Sequence, residues 1–133
     1  MRLSILALLL VIPMGVGAAA CTPRASPREV PGTYVLARGP AIDTLIVHAD
    51  GRWTRRLTVE GRAIRSDTGS WSVEKVTGEN RIVFENLDPE PPTDGSTRSG
   101  MWAVAAERPL FGQTRLPVSY DLDIAFIRVS GQQ

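Results

Sequence analysis

Short β-prone runs separated by turn residues fill the chain from Val30 onward, and they constrain its fold more than any other feature. Residues 33–37, 44–48 and 81–86 are such runs, and residues typical of turns follow them. No segment of this region has an apolar helical stripe of useful length. Six to eight short strands at this spacing predict an all-β fold, an antiparallel meander that closes into a small barrel or forms a curled sheet.

The strongest local signal is Asp50-Gly51, which lies between two β-prone runs. An Asp-Gly pair at such a position predicts a hairpin with a type I′ turn, in which both central residues have positive φ. Glu60-Gly61 and residues 77–80 mark further turns. Residues 63–65 and 70–76 are then expected to be separate strands.

Two stretches interrupt this rhythm. Residues 87–100 contain three prolines, and a proline lacks the N–H group that the interior of a sheet requires. We expect a surface loop here that binds a partner, and shortening residues 93–99 should leave folding nearly intact. Residues 108–117 are ambiguous, and the simplest interpretation is a loop with one short strand around Leu116.

Residues 118–129 alternate between apolar and polar side chains, which predicts one terminal strand. Its buried face would carry Tyr120, Leu122, Ile124 and Phe126. Asp121 and Asp123 would share the opposite face. A carboxylate pair can perform acid–base chemistry, but an outward, solvated face explains this pair more simply.

The amino terminus has the composition of a secretory signal peptide. Arg2 precedes an apolar run that reaches Val16, and small residues follow up to Ala20. Pro13, Gly15 and Gly17 would disrupt a helix before it crossed the membrane, so a permanent membrane span is the weaker alternative. We therefore assign residues 1–20 to a signal peptide, residues 21–29 to a tether and residues 30–131 to a single β domain.

Cys21 follows Ala18-Ala19-Ala20, and this stretch resembles the lipobox of bacterial lipoproteins, although that family usually has leucine where Ala18 stands. The resemblance implies cleavage before Cys21, a diacylglyceryl group on its thiol and, often, an acyl group on the new amino terminus. The alternative is an ordinary A-x-A signal peptidase site that cuts the same bond. Because an exposed lone thiol is a liability for an exported protein, lipidation is the favoured interpretation.

Composition excludes several classes of function. The single cysteine allows no intramolecular disulfide and no cysteine-based zinc site. The chain has 15 basic and 14 acidic residues, and Arg2 leaves with the leader, so the mature domain is neutral and no nucleic-acid partner is expected. Lys75 is the only lysine; all other basic residues of the chain are arginines. We expect no metal or other cofactor.

Three segments resemble the small lipocalin-like lipoproteins of bacteria. Residues 31–34 match the G-x-Y that opens the first strand, residues 43–53 match the L-x-V…D-G-x-aromatic hairpin, and residues 69–71 match the later G-x-W. The amino-terminal domain of the copper-resistance outer-membrane lipoproteins has a similar layout. Those proteins carry a C-x-x-C where this chain has residues 38–42, so the resemblance implies a fold and a location but no metal or redox role.

Enzymatic motifs are weak. His48 is the only histidine, which leaves little scope for a metal site or a catalytic triad. The serines at positions 66, 70, 72 and 119 lack the G-x-S-x-G context of a nucleophile elbow. The sequence therefore predicts a protein that is not an enzyme.

Two sets of residues are candidates for binding. The aromatic residues Trp53, Trp71 and Trp102 could line a ligand cavity in the barrel. Arg52, Arg55 and Arg56, near Arg62 and Arg65, could bind an acidic partner. The first hypothesis is thus an envelope lipoprotein that holds a small apolar or amphiphilic ligand in its barrel. The alternative is a protein-interaction module or inhibitor that acts through surface loops. Either would be anchored by Cys21, at the periplasmic face of the outer membrane if the host is Gram-negative.

Overall fold

Eight antiparallel strands form one sheet that is nearly closed into a barrel. The structure is a computed structural model, and it describes residues 23–90 and 100–131. The strands are β1 (Gly32–Arg38), β2 (Ala41–Val47), β3 (Arg52–Val59), β4 (Arg62–Val76), β5 (Glu79–Glu85), β6 (Met101–Val104), β7 (Arg115–Ser119) and β8 (Ile124–Gly131). This confirms the predicted all-β antiparallel barrel.

The order of strands in the sheet is β6-β5-β4-β3-β2-β1-β8-β7. The first six strands therefore form a meander, and the β7–β8 hairpin joins it through β8 and β1. Near the two outermost strands, β6 and β7, an isolated antiparallel bridge joins Glu107 to Arg115. The two backbone hydrogen bonds of this bridge measure 2.9 and 2.8 Å, and they bring the ends of the sheet together.

Alternating side chains decide which face of each strand is buried. In β2, Asp43, Leu45 and Val47 point inward, while the residues between them are more exposed. The aromatic part of the core is Tyr34, Trp53, Phe84, Trp102 and Phe126. Hydrophobic burial of these rings is the main stabilising contribution, since the chain has only one cysteine and so no intramolecular disulfide.

The turn at Asp50-Gly51 differs from the predicted type. Gly51 has a φ of +85°, but Asp50 is not among the described non-glycine residues with positive φ. The N–H of Gly51 donates to the carbonyl of His48 at 3.3 Å, and the N–H of His48 donates to the carbonyl of Arg52 at 2.8 Å. The loop is thus one residue longer than a type I′ turn requires, and the glycine alone takes the left-handed conformation.

Type I′ geometry occurs instead at the next two hairpins. Glu60 and Gly61 have φ values of +50° and +77°, and Thr77 and Gly78 have +49° and +87°. In both hairpins the flanking strand residues pair directly, so the loop has two residues.

Strand β4 runs for 15 residues without the break expected between residues 65 and 70. Residues 62–70 pair with β3, and residues 71–76 pair with β5. The β4–β5 hairpin therefore extends past the end of β3. The separate strands predicted at residues 63–65 and 70–76 are one strand, because Gly69 contributes to a close contact rather than to a turn.

The predicted terminal strand over residues 118–129 is wrong, because it is a hairpin. Residues 120–123 form the turn between β7 and β8, and Asp123 has a φ of +49°. Tyr120 and Leu122 are 66% and 70% exposed instead of buried. Alternation alone could not reveal this turn, since no glycine or proline marks it. The short strand around Leu116 is confirmed as β7.

The described residues contain no helix that is long and apolar enough to cross a membrane. The only helical element among them is a single 3-10 turn, Pro27–Glu29, just before β1.

Candidate functional site

The three tryptophans belong to the packing of the barrel. Trp53 is completely buried and Trp102 is 8% exposed, while Trp71 is half-buried and packs against the core. The ring of Trp102 stacks on that of Phe84, with centroids 5.2 Å apart. These rings pack in or against the core of the barrel.

Hydrogen bonds fix the two indoles that lie next to the hairpins. Trp53 Nε1 donates to the carbonyl of Glu85 at 3.1 Å, and Trp71 Nε1 donates to the carbonyl of His48 at 2.7 Å. A Cβ atom at Gly69 would lie 2.6 Å from both the Glu85 carbonyl oxygen and the ring of Trp53. Gly69 therefore permits the close packing of the Trp53 ring against β4.

Two cavities that described residues line lie on the outer surface of the barrel. One is an open groove of about 810 Å³ on the outside of β1, β7 and β8. A smaller cleft of about 300 Å³ lies between Thr54 and Thr68 and is lined in part by His48 and Trp53. Neither opens into a lumen lined by the tryptophans.

The inner face of the barrel carries a buried ion pair that sequence reasoning missed. Arg55 and Asp43 are 3% and 4% exposed. Arg55 Nε donates to Asp43 Oδ1 at 2.8 Å, and Arg55 Nη2 lies 2.5 Å from Oδ2. Arg55 Nη1 donates to the carbonyl of Asp88, and the guanidinium carbon is 6.0 Å from the centre of the Phe126 ring. The pair is a bidentate, charge-assisted contact within the core.

This position corrects the expected role of Arg55 as a partner-binding residue, because the side chain is not on the surface. Strand alternation puts Arg55 on the same face as Trp53, two residues earlier. The signal was present in the sequence: Asp43 and Arg55 have opposite charges and both occupy inward positions of neighbouring strands. The interpretation of the arginines as one cluster concealed it.

A second, less buried ion pair lies beside the first. Arg65 Nε and Asp67 Oδ2 are 2.5 Å apart, with side chains 17% and 23% exposed. Asp67 is paired with Arg55 in the register of β3 and β4. One part of the barrel interior therefore contains two arginines and two aspartates, whose charges cancel. This part of the interior is polar and is not an apolar lumen.

Arg52 and Arg56 lie on the outside of the barrel. Arg52 forms an exposed ion pair with Asp50 at 2.7 Å, which lowers the pKa of the Asp50 carboxyl. Arg56 is exposed and is paired with Ser66 in the register of β3 and β4. The fold thus separates the predicted arginine cluster into two outward and two inward side chains, and Arg62 lies at the exposed tip of the hairpin.

Residues 23–29, the described part of the segment assigned to a tether, are attached to the barrel. Arg24 and Glu107 form an antiparallel bridge, the N–H of Ala25 donates to the carbonyl of Ala106 at 2.9 Å, and the N–H of Arg108 donates to the carbonyl of Pro23 at 2.8 Å. Ala25 and Val30 are buried. Backbone pairing, which a polar composition does not reveal, holds residues 23–30 in place.

The segment that follows Arg108 carries the most exposed apolar side chains of the described residues. Leu110 is 84% exposed and Phe111 is 97% exposed. Phe111 also lines the outer groove, together with Val35 of β1 and Ile127 of β8. This is the segment that the sequence left ambiguous.

The β4–β5 hairpin is an ordered arm, which we define as residues 72–81. Each of these residues is exposed. Glu74 pairs with Arg81 and Lys75 with Asn80 across the arm. The neighbouring strands β3 and β6 pair only with residues outside the arm, so both of its edges have no ladder partner among the described residues.

Other candidates occupy ordinary surface positions. His48 Nε2 lies 3.4 Å from the hydroxyl of Thr54, and the described residues contain no group of three or more potential metal ligands. Asp121 and Asp123 lie in the β7–β8 turn, and Asp123 pairs with Arg115 at 2.6 Å.

Of the predicted proline-rich loop, Leu87 is buried, while residues 93–99 lie outside the described residues.

No family model matches the chain, and neither does any curated protein or solved structure.

Proposed function

We propose that this protein is a non-enzymatic lipoprotein of the cell envelope, anchored by lipid on Cys21, and that its barrel is a rigid scaffold for binding another protein. Of the two hypotheses, the packing of the core favours the protein-interaction module. Trp53 and Phe84 are completely buried, and a charged pair occupies part of the remaining interior.

The observation that carries the proposal is the arm with two open edges. A two-stranded hairpin by itself is marginally stable in water, and residues 72–81 bury little that would stabilise the barrel. Unpaired strand edges present a row of N–H and C=O groups to which an extended segment can add. We propose that the partner contributes such a segment, and that the exposed charges at Glu74, Lys75 and Arg81 select it.

The sequence offers a direct probe of this contact, because Lys75 is the only lysine and lies in the arm. An amine-reactive cross-linker applied to native membranes should join the partner to Lys75. The other possible amine, at the new amino terminus, would be blocked wherever it is acylated. Lys75→Arg should abolish the cross-link while the partner still co-precipitates.

A shortened arm provides the binding test. Removal of Glu74, Lys75, Asn80 and Arg81 deletes two cross-strand pairs and keeps the face of every remaining side chain. The partner should no longer co-precipitate, whereas Arg56→Ser, a control on the neighbouring outer face, should retain it. Equal capture by the shortened and full-length arms contradicts the proposed surface. A stoichiometric small amphiphile without any captured protein would favour the ligand carrier instead.

Lipidation has its own test. Cys21→Ser should release the mature protein into the soluble exported fraction. Wild-type protein with an unmodified amino-terminal cysteine in that fraction would refute the lipid anchor and leave the arm to be tested separately.

A further inference from the structure

The chain path keeps the proposed lipid anchor close to the most exposed apolar side chains of the described residues, Leu110 and Phe111. Pro23 is two residues after Cys21, and its carbonyl accepts the N–H of Arg108 at 2.8 Å. Leu110 is in turn two residues after Arg108. Since two residues span at most about 7 Å, Cys21 and Leu110 cannot be more than about 20 Å apart.

Because residues 23–25 are held against residues 106–108, the domain has almost no free spacer. Only Thr22 separates Cys21 from the attached segment. A lipid on Cys21 would therefore keep this side of the barrel against the bilayer surface.

We infer that Leu110 and Phe111 insert into the surface of the bilayer that holds Cys21, so that the domain docks with its β7–β8 side toward the membrane. This inference rests on the proposed function, because the lipid anchor on Cys21 is what places the domain at a membrane. Side chains exposed to 84% and 97% gain the most from transfer out of water. An aromatic and a leucine side chain are suited to the boundary between headgroups and acyl chains.

The charges around Leu110 and Phe111, which we call the apolar tip, are compatible with a lipid surface. Glu107 lies 3.8 Å from Arg24, Glu29 pairs with Arg108, and Asp123, which lines the same groove as Phe111, pairs with Arg115. Arg28 is exposed and offsets the charge of Asp121, which is exposed in the β7–β8 turn. The apolar tip therefore carries no excess negative charge that anionic headgroups would repel.

Docking on this side also determines where the arm lies relative to the membrane. β4 and β8 are four strands apart in the order of an eight-stranded, nearly closed barrel, so they lie on opposite sides. With the β7–β8 side on the bilayer, β4 and the arm that it carries lie on the side of the barrel that faces away from the membrane, where a partner can reach them.

The test uses the lipidated full-length protein in phosphatidylcholine vesicles. Because Cys21 is the only cysteine and lipid occupies its thiol, Phe111→Cys creates one site for a polarity-sensitive dye. The dye should show a blue-shifted emission and be quenched by a quencher confined to the acyl chains. Ile64→Cys on β4, where the native side chain is 58% exposed, is the matched control and should show neither response. Equal responses at the two positions, or none at residue 111, would overturn the inference.

A second experiment separates membrane docking from lipidation. In the Cys21→Ser background, the mature domain should still partition weakly onto the vesicles. Replacement of Leu110 and Phe111 by serine should lower the partition coefficient on the order of 100-fold, whereas Ile64→Ser should leave it unchanged. No binding by the Cys21→Ser protein would overturn membrane docking and leave the lipid anchor standing. A blue shift at residue 111 without vesicles would indicate self-association through this tip and would also contradict the inference.

Discussion

The barrel interior and the β4–β5 arm belong to the same sheet and even share strand β4, but only one of them has a covered face. Inside the barrel, Trp53 contacts the backbone of a different hairpin, and Asp43 neutralises Arg55. Along the arm, residues 72–81 are exposed on both faces. Strand pairing is thus the same in both regions, while the consequence of a substitution depends on what lies against the side chain.

The largest expected effect is on the buried ion pair. Asp43→Ala leaves the Arg55 guanidinium buried without its carboxylate, which should lower the free energy of unfolding by about 3–5 kcal/mol. Chemical denaturation of the mature domain measures this. Asp50→Ala removes the exposed partner of Arg52 and should change stability little. Similar losses in the two variants would mean that the Asp43–Arg55 pair is hydrated. Replacement of both Asp43 and Arg55 by leucine should recover much of the loss.

The next effect is at the contact between β4 and the Trp53 ring. Gly69→Ala would place a methyl group 2.6 Å from both a backbone carbonyl and the buried indole, which should cost about 1–3 kcal/mol. Near-ultraviolet circular dichroism should report the displaced tryptophan. Gly100→Ala is the matched control, because a Cβ there meets no atom within 4 Å. A fully stable Gly69→Ala protein would contradict the close packing.

A smaller effect with a distinct pH dependence is expected at Tyr34. Its buried hydroxyl donates to the carbonyl of Val30 at 2.5 Å, and burial raises its pKa to about 12. Since the unfolded chain has a tyrosine pKa of about 10, the folded state holds this proton more tightly. The associated stability is present below pH about 10 and is lost as the pH rises toward 12, by up to about 1.4 kcal/mol per pH unit.

Tyr34→Phe should therefore cost about 1 kcal/mol at neutral pH and make the loss of stability between pH about 10 and 12 less steep. Denaturation curves recorded across this range measure both changes. Tyr120→Phe, at an exposed tyrosine, should alter neither. An unchanged alkaline slope in Tyr34→Phe would show that this hydroxyl does not contribute to it.

The smallest effect is expected in the arm. The arm shortened by two cross-strand pairs should keep the free energy of unfolding within about 0.5 kcal/mol of that of wild type, because the deleted residues are all exposed. A large loss would show that the arm stabilises the barrel, and the contrast between the two regions would disappear.

Several features of the fold could be predicted from the sequence. Strand-forming runs and glycine-containing turns gave the all-β barrel, and the hairpins around Glu60-Gly61 and Thr77-Gly78 lie where those turns were expected. The β7–β8 turn was missed because residues 120–123 continue the alternation through a change of direction. The docked segment at residues 23–30 was missed because its backbone pairs with residues far away in the sequence.

For the candidate binding residues too, the sequence determined some properties and the tertiary structure determined others. The sequence by itself determined the β class, the net charge of +1 and the single Cys21 and Lys75, because these depend on residue identity and local conformational preference. Only the tertiary structure decided that Arg55 is inside while Arg56 is outside, that the tryptophans pack in or against the core, and that the segment before Leu110 and Phe111 pairs with residues 23–25. Burial and long-range neighbours depend on how distant strands pair, and no local pattern specifies that pairing.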